Sequence, residues 1–476
     1  MKVSQDVRDA IEYRFTLREC LIGDKAFYRK VIMVVLPMIV QNTLTNIVSL
    51  LDNIMVGQTG TLQMSAVAIV NQLFFVYLLC VVGAIAGSGI YGTQFYGKGD
   101  MEGVRITLRF KFAVGLLLTL ICVCILLLFG KDLIGLYISS DTSAKDAADT
   151  VNYALSYMHI MLIGLFPFSL TLGFAGTMRE TGQTVLPMKA SMTAMVINFI
   201  FNYLLIFGNF GFPKLGVQGA AIATVISRFC ELSIIILGTV RKTDKYPFLK
   251  GLLSHFVIPK NMVWPILSKT LPLFFNETLW SMAQAVLLQC YSVRGISVIA
   301  AINISNTVSQ IFNEVFLSIG FSTSIVVGQE LGANRLVNAR RSAYRMITLS
   351  LASTLIMGTL LFVFAPAIPR FYNTGADIRL LASYFIRVVA LVMPINALAN
   401  ILYFIIRSGG RTFITFLFDS CFSWGVSVLA AFLLTRYTDL PILPIYITVC
   451  TLDILKCVIG SIMMKKGIWV RNIVKD

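Results

Sequence analysis

Residues 31–56 read VIMVVLPMIVQNTLTNIVSLLDNIMV, an apolar run with one ionisable residue, Asp52. The run is longer than the roughly 20 apolar residues that a helix needs to cross a bilayer. The full chain of 476 residues has the same character, with 57% hydrophobic and only 13% charged residues. This composition predicts an integral membrane protein and excludes a soluble globular one.

Eleven further apolar runs of similar length follow, so we predict an all-α membrane protein with twelve transmembrane helices. Six spans fall in each half, and because six is even, both halves enter the membrane from the same side, as in a parallel repeat. The predicted segments are a cytoplasmic N-terminal segment 1–30, an N-lobe 31–239, a cytoplasmic linker 240–262, a C-lobe 263–465 and a cytoplasmic tail 466–476.

The two halves resemble each other at a fixed offset in residue number. Pro37 matches Pro272 at an offset of 235 (272 − 37), and Gln94-x-x-Gly97 matches Gln329-x-x-Gly332 at the same offset (329 − 94). Residues that kink helices and form turns are shared, rather than Leu and Val alone. The pattern favours a duplicated scaffold of two pseudo-symmetric six-helix lobes.

Basic residues predict the orientation in the membrane. If the N-terminus is cytoplasmic, 27 Lys and Arg lie on the inner side and six in outer loops. The positive-inside rule then places both termini in the cytoplasm of a multi-pass cell-membrane protein. The net charge of +16 is explained by this topology and by contact with anionic lipids, without a nucleic-acid partner.

Asp52 is the first candidate functional residue, because a carboxylate at membrane depth normally faces a cavity or a partner. Asn198 and Asn202 on the fifth span share one helix face at i, i+4 spacing and are predicted at a similar depth. A carboxylate with two amides can hold a proton or Na⁺. The alternative is a polar clamp between helices.

Glu277 is the second candidate, and Asn276 stands beside it. The two halves do not share these acids, since the repeat aligns Asp52 with Leu287 and Glu277 with Asn42. A carboxyl group in apolar surroundings is suited to take up and release a proton. We predict that Glu314 on the eighth span faces the same cavity.

Two pairs of opposite charges stand at i, i+3 spacing inside spans. Arg228 with Glu231, and Asp453 with Lys456, are predicted to form structural ion pairs. Asp419 in the eleventh span has no predicted role.

Prolines inside four spans are candidate hinges. Pro37 and Pro272 occupy equivalent places in the first and seventh spans, and Pro167 and Pro394 in the fourth and tenth. A proline removes one backbone hydrogen bond and kinks the helix. Paired kinks indicate paired hinges, with static bends that help packing as the alternative.

Phosphate-loop, zinc-protease, serine-hydrolase and dinucleotide-binding motifs do not accompany the spans. The sequence therefore predicts neither an enzyme nor a cofactor, and an ion gradient or a partner must supply the energy for any transport.

Several motifs together resemble the multidrug and toxic compound extrusion (MATE) family. The run 48–57 resembles its first-helix signature, and the paired Gln-x-x-Gly motifs resemble its loop motif. Arg179-x-x-Gly-x-Thr184 and Arg407-x-x-Gly-x-Thr412 both fit its R-x-x-G-x-T loop. The resemblance covers residues 31 to about 465.

The resemblance implies antiport of small organic cations or drugs against H⁺ or Na⁺, by alternating access of two six-helix lobes. It assigns Glu277 to the C-lobe acid of the NorM-like bacterial branch, in which a second acid usually stands where Asn396 is found here. It also implies an ion network in the N-lobe, formed by Asp52, Asn198, Asn202 and Thr224. Na⁺ is possible at Asp52, Asn198 and Asn202.

We expect a monomeric exporter of organic cations in the lipid bilayer, with Asn42, Asn276, Glu314 and Asn396 facing its substrate cavity. Three alternatives stay open: a flippase for lipid-linked oligosaccharides from the same superfamily, a gated membrane channel, and an intramembrane enzyme. An enzyme would need a nucleophile and a base that the sequence does not reveal.

Overall fold

The computed structural model describes residues 5–138, 143–252, 254, 256–372 and 374–475. Helices are the only regular secondary structure within these ranges. The predicted N-terminal segment, linker and tail include residues 1–4, 253, 255 and 476, which lie outside the described part of the chain.

Twelve long helices make up the described part of the chain, preceded by two short ones, Gln5–Glu12 and Leu17–Leu21. The first six are α1 (Lys25–Gly57), α2 (Thr61–Lys98), α3 (Met101–Gly135), α4 (Ala144–Glu180), α5 (Val185–Phe207) and α6 (Val217–Val240). The last six are α7 (Lys260–Ser292), α8 (Ile296–Gly332), α9 (Leu336–Phe364), α10 (Ala376–Ser408), α11 (Thr412–Tyr437) and α12 (Ile442–Lys465).

The predicted all-α membrane fold is confirmed. Among the described residues, 11 helices are long and apolar enough to cross a membrane. The twelfth predicted span corresponds to α7, which has 33 residues but a lower mean hydropathy. The polar residues Asn276 and Glu277, both candidate site residues, lie within α7 and contribute to that difference.

The helix bounds confirm the repeat. The first residues of α1 and α7 differ in number by 235 (260 − 25), as do those of α2 and α8 (296 − 61) and those of α3 and α9 (336 − 101). The offset falls to 227 between α5 and α11 (412 − 185). The duplicated scaffold is therefore kept without a gap over three helices, and the second half is shorter thereafter.

Two glycines show why part of the pattern is repeated. Gly60 and Gly295 immediately precede α2 and α8, with φ of 141° and 125°. Residues with a Cβ rarely adopt this backbone region, whereas glycine does so without strain. The chain thus makes the same turn before the second helix of each half.

The four candidate hinge prolines all lie inside continuous helices. Pro37 lies in α1, Pro167 in α4, Pro272 in α7 and Pro394 in α10. Their predicted part in movement stays a prediction.

The chain divides into two compact units. Unit 1 comprises Met1–Ile39, Thr93–Asp100 and Leu267–Asp476, and unit 2 comprises Val40–Gly92 and Met101–Ile266. Unit 1 holds most of the predicted C-lobe, and unit 2 most of the predicted N-lobe with the linker. The lobe boundaries expected from the sequence stay a prediction.

Each unit has its own apolar core. In unit 2, side chains of α2, α3, α4 and α6 bury one another, among them Val70, Ile134, Met158 and Ala221. In unit 1, residues of α8, α10 and α12 do the same, including Ala301, Phe385 and Ile445. Within a bilayer, close van der Waals packing between such side chains stabilises the contacts between helices.

The paired Gln-x-x-Gly motifs meet within unit 1. A Cβ built on Gly97 would lie 2.0 Å from the carbonyl oxygen of Gln329, and one built on Gly332 would lie 1.9 Å from that of Gln94. Each glycine thus accepts the partner motif's backbone at a distance that only a hydrogen in place of Cβ permits. The Gln94 side chain also donates to the carbonyl of Ser408 at 2.9 Å.

The repeated arginines Arg105 and Arg340 hold the segments that precede α7 and α1. In unit 1, Arg340 of α9 donates to three backbone carbonyl oxygens at the end of the first short helix. In unit 2, Arg105 of α3 donates to the carbonyl oxygen of Phe248 in the linker at 3.2 Å. Arg109, one turn later, donates to three more linker carbonyl oxygens at 2.8–3.2 Å. Guanidinium groups satisfy several backbone acceptors at once, which fixes both segments in place.

Candidate functional site

The first candidate site lies in unit 2, where Asp52 near the end of α1 meets α5. Asn202 Nδ2 donates to Asp52 Oδ1 at 2.7 Å. Asn202 is buried, with 1% of its surface exposed, whereas Asp52 is half-buried. The structure therefore brings together the acid and the amide that the sequence places at a similar depth.

The Asn198 amide lies against the same carboxylate, and the charge of Asp52 decides which end of the amide faces it. With its nitrogen toward Asp52, it donates to Oδ1 at 3.0 Å and to Oδ2 at 3.3 Å, and its oxygen accepts from the Thr224 hydroxyl at 3.3 Å. With its oxygen toward Asp52, it accepts from Asn202 Nδ2 at 3.1 Å and its nitrogen donates to Thr224. Thr224, assigned by family resemblance, completes the group.

The two amide orientations suit two states of the carboxyl group. A bare carboxylate accepts hydrogen bonds only, so it favours the amide nitrogen. An amide oxygen about 3 Å from a carboxylate oxygen is tolerated when a proton or a cation lies between the two oxygens. An ionised Asp52 therefore holds the Asn198 amide with its nitrogen toward the carboxylate.

A further acceptor at this site is unsatisfied. The Oδ1 atom of Asn202 is buried and has no hydrogen-bond partner among the described residues. Buried polar atoms without partners cost free energy, so such an atom calls for a ligand, a water or a change of state.

Tyr157 of α4 belongs to the surroundings of Asp52, and sequence reasoning missed it. The charges of Asp52 and Arg228 both act on its buried hydroxyl, which donates to Asn71 Oδ1 at 3.4 Å. Asn71 itself carries a sequence signal, because it matches Asn306 in the repeat (306 − 71 = 235). Tyr157 carries none, since tyrosine is common in apolar helices.

The second candidate site lies in unit 1 and centres on Asp419 of α11. Asn276 Nδ2 donates to Asp419 Oδ2 at 3.1 Å, and Lys456 Nζ of α12 lies 3.2 Å from Asp419 Oδ1. The same ammonium lies 3.5 Å from Asp453. Sequence spacing predicts the pair of Asp453 and Lys456 at i, i+3, but it does not reveal that Asp419 shares the lysine.

The backbone around Asp419 is irregular. Residues Leu417–Cys421 and Ser423–Val428 of α11 form π-helical turns. Such turns are rare, and they occur most often at functional sites. Ser420 uses the local geometry to donate to the Asn276 side chain at 2.8 Å, which orients that amide toward Asp419.

Glu277 belongs to the same polar group as a half-buried acid. The charges that act on it are those of Arg407 and Asp419. The Arg407 guanidinium is buried beside α10 aromatics, 6.0 Å from the ring of Tyr403. Glu277 therefore belongs to a mixed group of acids and bases, which spacing along the sequence does not reveal.

The remaining predicted cavity residues are placed less tightly. Asn42 on α1, Glu314 on α8 and Asn396 on α10 are all half-buried inside their helices. Asn42 falls in unit 2 and the other two in unit 1. Their role in binding substrate stays a prediction.

Unit 2 also holds buried charges that sequence spacing assigns differently. Arg228 and Glu231, spaced i, i+3, are predicted to pair, yet Arg228 Nη1 donates to the Gly164 carbonyl oxygen at 3.3 Å. Glu231 accepts a hydrogen bond from Ser191, which in turn accepts one from Gln41 at 2.7 Å. The long side chains reach neighbouring helices in preference to each other.

A direct ion pair in unit 2 joins Lys111 of α3 to Glu180 of α4. Their Nζ and Oε2 atoms lie 2.6 Å apart, and the lysine side chain is 1% exposed. Thr177 accepts a further hydrogen bond from the ammonium at 2.8 Å. A pair this deeply buried depends on both partners, because either charge alone would be costly there.

Comparison with known proteins identifies the family. The MatE family model matches residues 37–204 and 272–433, two regions whose first residues differ in number by 235 (272 − 37). The chain is 24% identical to "Probable multidrug resistance protein YoeA" of Bacillus subtilis (strain 168), over 91% of this chain and 93% of that protein. It is 22% identical to "Probable multidrug resistance protein NorM" of Thermotoga maritima, over 94% of each.

Solved structures share the fold. One, described as "Crystal structure of MATE in the bent conformation", covers 98% of both chains with a TM-score of 0.82 and 18% identity. Another, an outward-facing multidrug resistance MATE family transporter, covers 98% of both with a TM-score of 0.81 and 16% identity. From the two matched regions and these relatives, the chain belongs to the MATE family of multidrug efflux transporters.

Proposed function

We propose that the protein is a secondary active antiporter that exports organic cations in exchange for H⁺ or Na⁺ by alternating access of two lobes. The proposal places it as a monomer in the cell membrane with both termini in the cytoplasm. Small organic cations are its substrates, and the coupling ion enters from outside.

The group formed by Asp52, Asn198 and Asn202 carries the proposal. A carboxylate held by amides of one neighbouring helix can bind a proton or a small cation and can release it again. Asp52 is only half-buried, so an ion can reach it. Its hydrogen-bond partners among the described residues are neutral amides, so no fixed positive charge holds the carboxylate permanently.

Both coupling ions suit this group chemically. For Na⁺, the ligands are the Asp52 carboxylate and the side-chain oxygens of Asn198 and Asn202, which are hard oxygen donors once each amide turns its oxygen toward the ion. For H⁺, the proton resides on Asp52, and the carboxyl O–H donates a hydrogen bond to the Asn198 oxygen. In either case the bound ion lies between α1, which carries Asp52, and α5, which carries the two amides.

Ion binding drives export only if the ion binds the two conformations with different affinity. We infer that an ion bound to Asp52 favours the inward-facing state. The protein adopts this state after it has released an organic cation outside, and it then binds the next cation from the cytoplasm. Since α1 carries both Asp52 and Pro37, a change at the carboxylate can be transmitted along a single helix that contains a proline.

The test is efflux of a fluorescent organic cation from proteoliposomes, with the pH and Na⁺ gradients imposed separately. The parent chain should exchange the cation for at least one of the two ions. Asp52→Asn keeps the shape of the side chain but removes its charge, and it should abolish exchange. Asp377→Asn, which changes an acid in the first turn of α10, serves as the control and should leave exchange intact.

Equal gradient-driven exchange by the Asp52→Asn variant and the parent would overturn the proposal. Flux that does not saturate with cation concentration would favour a channel instead.

One observation counts against the flippase alternative. The buried lysines Lys111 and Lys456 are matched by acids at 2.6 Å and 3.2 Å, so they are not available to a pyrophosphate group.

A further inference from the structure

We propose that Asp419 is an ammonium-binding carboxylate of unit 1 that Lys456 occupies in this structure, and that an organic cation takes the place of Lys456. The inference rests on the proposed export of organic cations. It assigns a substrate-binding role to a residue that sequence motifs do not mark.

The position of Lys456 shows that the site accepts an ammonium group. Its Nζ atom lies 3.2 Å from Asp419 Oδ1 and 5.1 Å from the centre of the Phe422 ring. A carboxylate beside an aromatic face is the usual environment of a bound organic ammonium, since both attract the cation. Asn276 donates to the other carboxylate oxygen, which fixes the orientation of Asp419.

Asp453 provides a second position for the lysine. It lies one turn before Lys456 on α12, and its carboxylate is already 3.5 Å from Nζ. Lys456 can therefore leave Asp419 without losing an ionic partner. The displaced ammonium needs only a rotation of its flexible side chain, so the exchange of one cation for another leaves no buried charge unpaired.

Charge balance supports a single bound cation. The cluster contains three acids, Glu277, Asp419 and Asp453, and two bases, Arg407 and Lys456, so acids outnumber bases by one. A monovalent organic cation would balance the two counts. The Asp419 and Asp453 side chains are 22% and 29% exposed while that of Lys456 is 9% exposed, so both acids are more exposed than the lysine that they share.

The experiment measures equilibrium binding of ethidium to the purified full-length protein in detergent, by fluorescence polarisation, with no gradient. Lys456→Met removes the competing ammonium and should tighten ethidium binding by about tenfold, or ~1.4 kcal/mol. Adding Asp419→Asn to that variant should reverse the gain. An uncharged phenanthridine of similar shape should bind all variants equally.

Lys456→Met alone leaves the acids without their counter-charge, which can impair folding. The double variant Lys456→Met/Asp453→Asn removes one acid together with the base, so acids still outnumber bases by one. It should show the same tightening of ethidium binding. Lys465→Met, an exposed lysine at the end of the same helix, is the matched control and should change nothing.

Unchanged or weaker ethidium binding in the folded Lys456→Met/Asp453→Asn variant would overturn the inference. So would a gain in affinity that persists when Asp419→Asn is added to Lys456→Met. Ethidium binding is measured without a gradient, so it does not depend on antiport. If the affinity changes appear as predicted but antiport fails, only the proposed function is refuted. Intact antiport without those changes would refute only this site.

Discussion

Replacing Gly332 with alanine should destabilise unit 1, because the new methyl group meets backbone. Its Cβ would lie 1.9 Å from the Gln94 carbonyl oxygen, where ordinary contact begins near 3.4 Å. The two segments must therefore separate by roughly 1.5 Å (3.4 − 1.9) to restore van der Waals contact. Overpacking usually costs about 1–3 kcal/mol. Since a carbonyl oxygen cannot rotate away as a flexible side chain can, we expect about 3 kcal/mol, the upper end of that range.

The assay is thermal unfolding of the detergent-solubilised protein, followed by tryptophan fluorescence or by exposure of buried cysteine. Gly332→Ala should lower the midpoint by several degrees. Gly97→Ala should lower it to a similar extent, because its Cβ would lie 2.0 Å from the Gln329 carbonyl oxygen. The matched control is Gly135→Ala, where no atom lies within 4 Å and no loss is expected.

A Gly332→Ala variant as stable as the parent would refute the close approach of the two motifs. An equal loss of stability in Gly135→Ala would show that any added methyl group destabilises these helices. The loss in Gly332→Ala would then not report contact with the Gln94 carbonyl oxygen.

Two further predictions concern charged contacts outside the candidate sites. Lys111→Met should lower the free energy of unfolding by about 3–5 kcal/mol, because it removes the ammonium that neutralises the buried Glu180 carboxylate. In chemical denaturation, the double variant Lys111→Met/Glu180→Gln should recover most of this loss. An equally large loss in both variants would contradict the pairing. Arg340→Ala should free the N-terminal segment and expose it to trypsin, whereas the exposed control Arg335→Ala should leave the cleavage rate unchanged; equal cleavage of both would show that Arg340 does not hold the segment.

The sequence predicts the helices and the repeat well, for a physical reason. Apolar runs long enough for a bilayer must form helices, because the backbone has no other hydrogen-bond partner there. Repeated turn residues such as Gly60 and Gly295 then fix where the helices begin, since their φ values suit only glycine.

The site in unit 2 could be predicted in part. Asn198 and Asn202 stand out because two amides at i, i+4 are unusual on an apolar helix, and counting residues from the membrane surface places them near Asp52. Tyr157 could not be found in this way, since an aromatic residue in a transmembrane helix has no distinguishing spacing.

The cluster in unit 1 could not be predicted from spacing. Asp419 has no basic neighbour on its own helix that would mark a pair, and it meets Lys456 only through the packing of α11 against α12. Spacing was also misleading for Arg228 and Glu231, whose side chains bond to α4 and α5. Contacts between helices depend on helix rotation, which a single sequence does not specify.

The most direct test of ion coupling at Asp52 is cation exchange in proteoliposomes under separate pH and Na⁺ gradients. The parent should accelerate exchange when one gradient is imposed, and Asp52→Asn should exchange at the same rate with or without it. A variant that still responds to the gradient as the parent does would contradict the account.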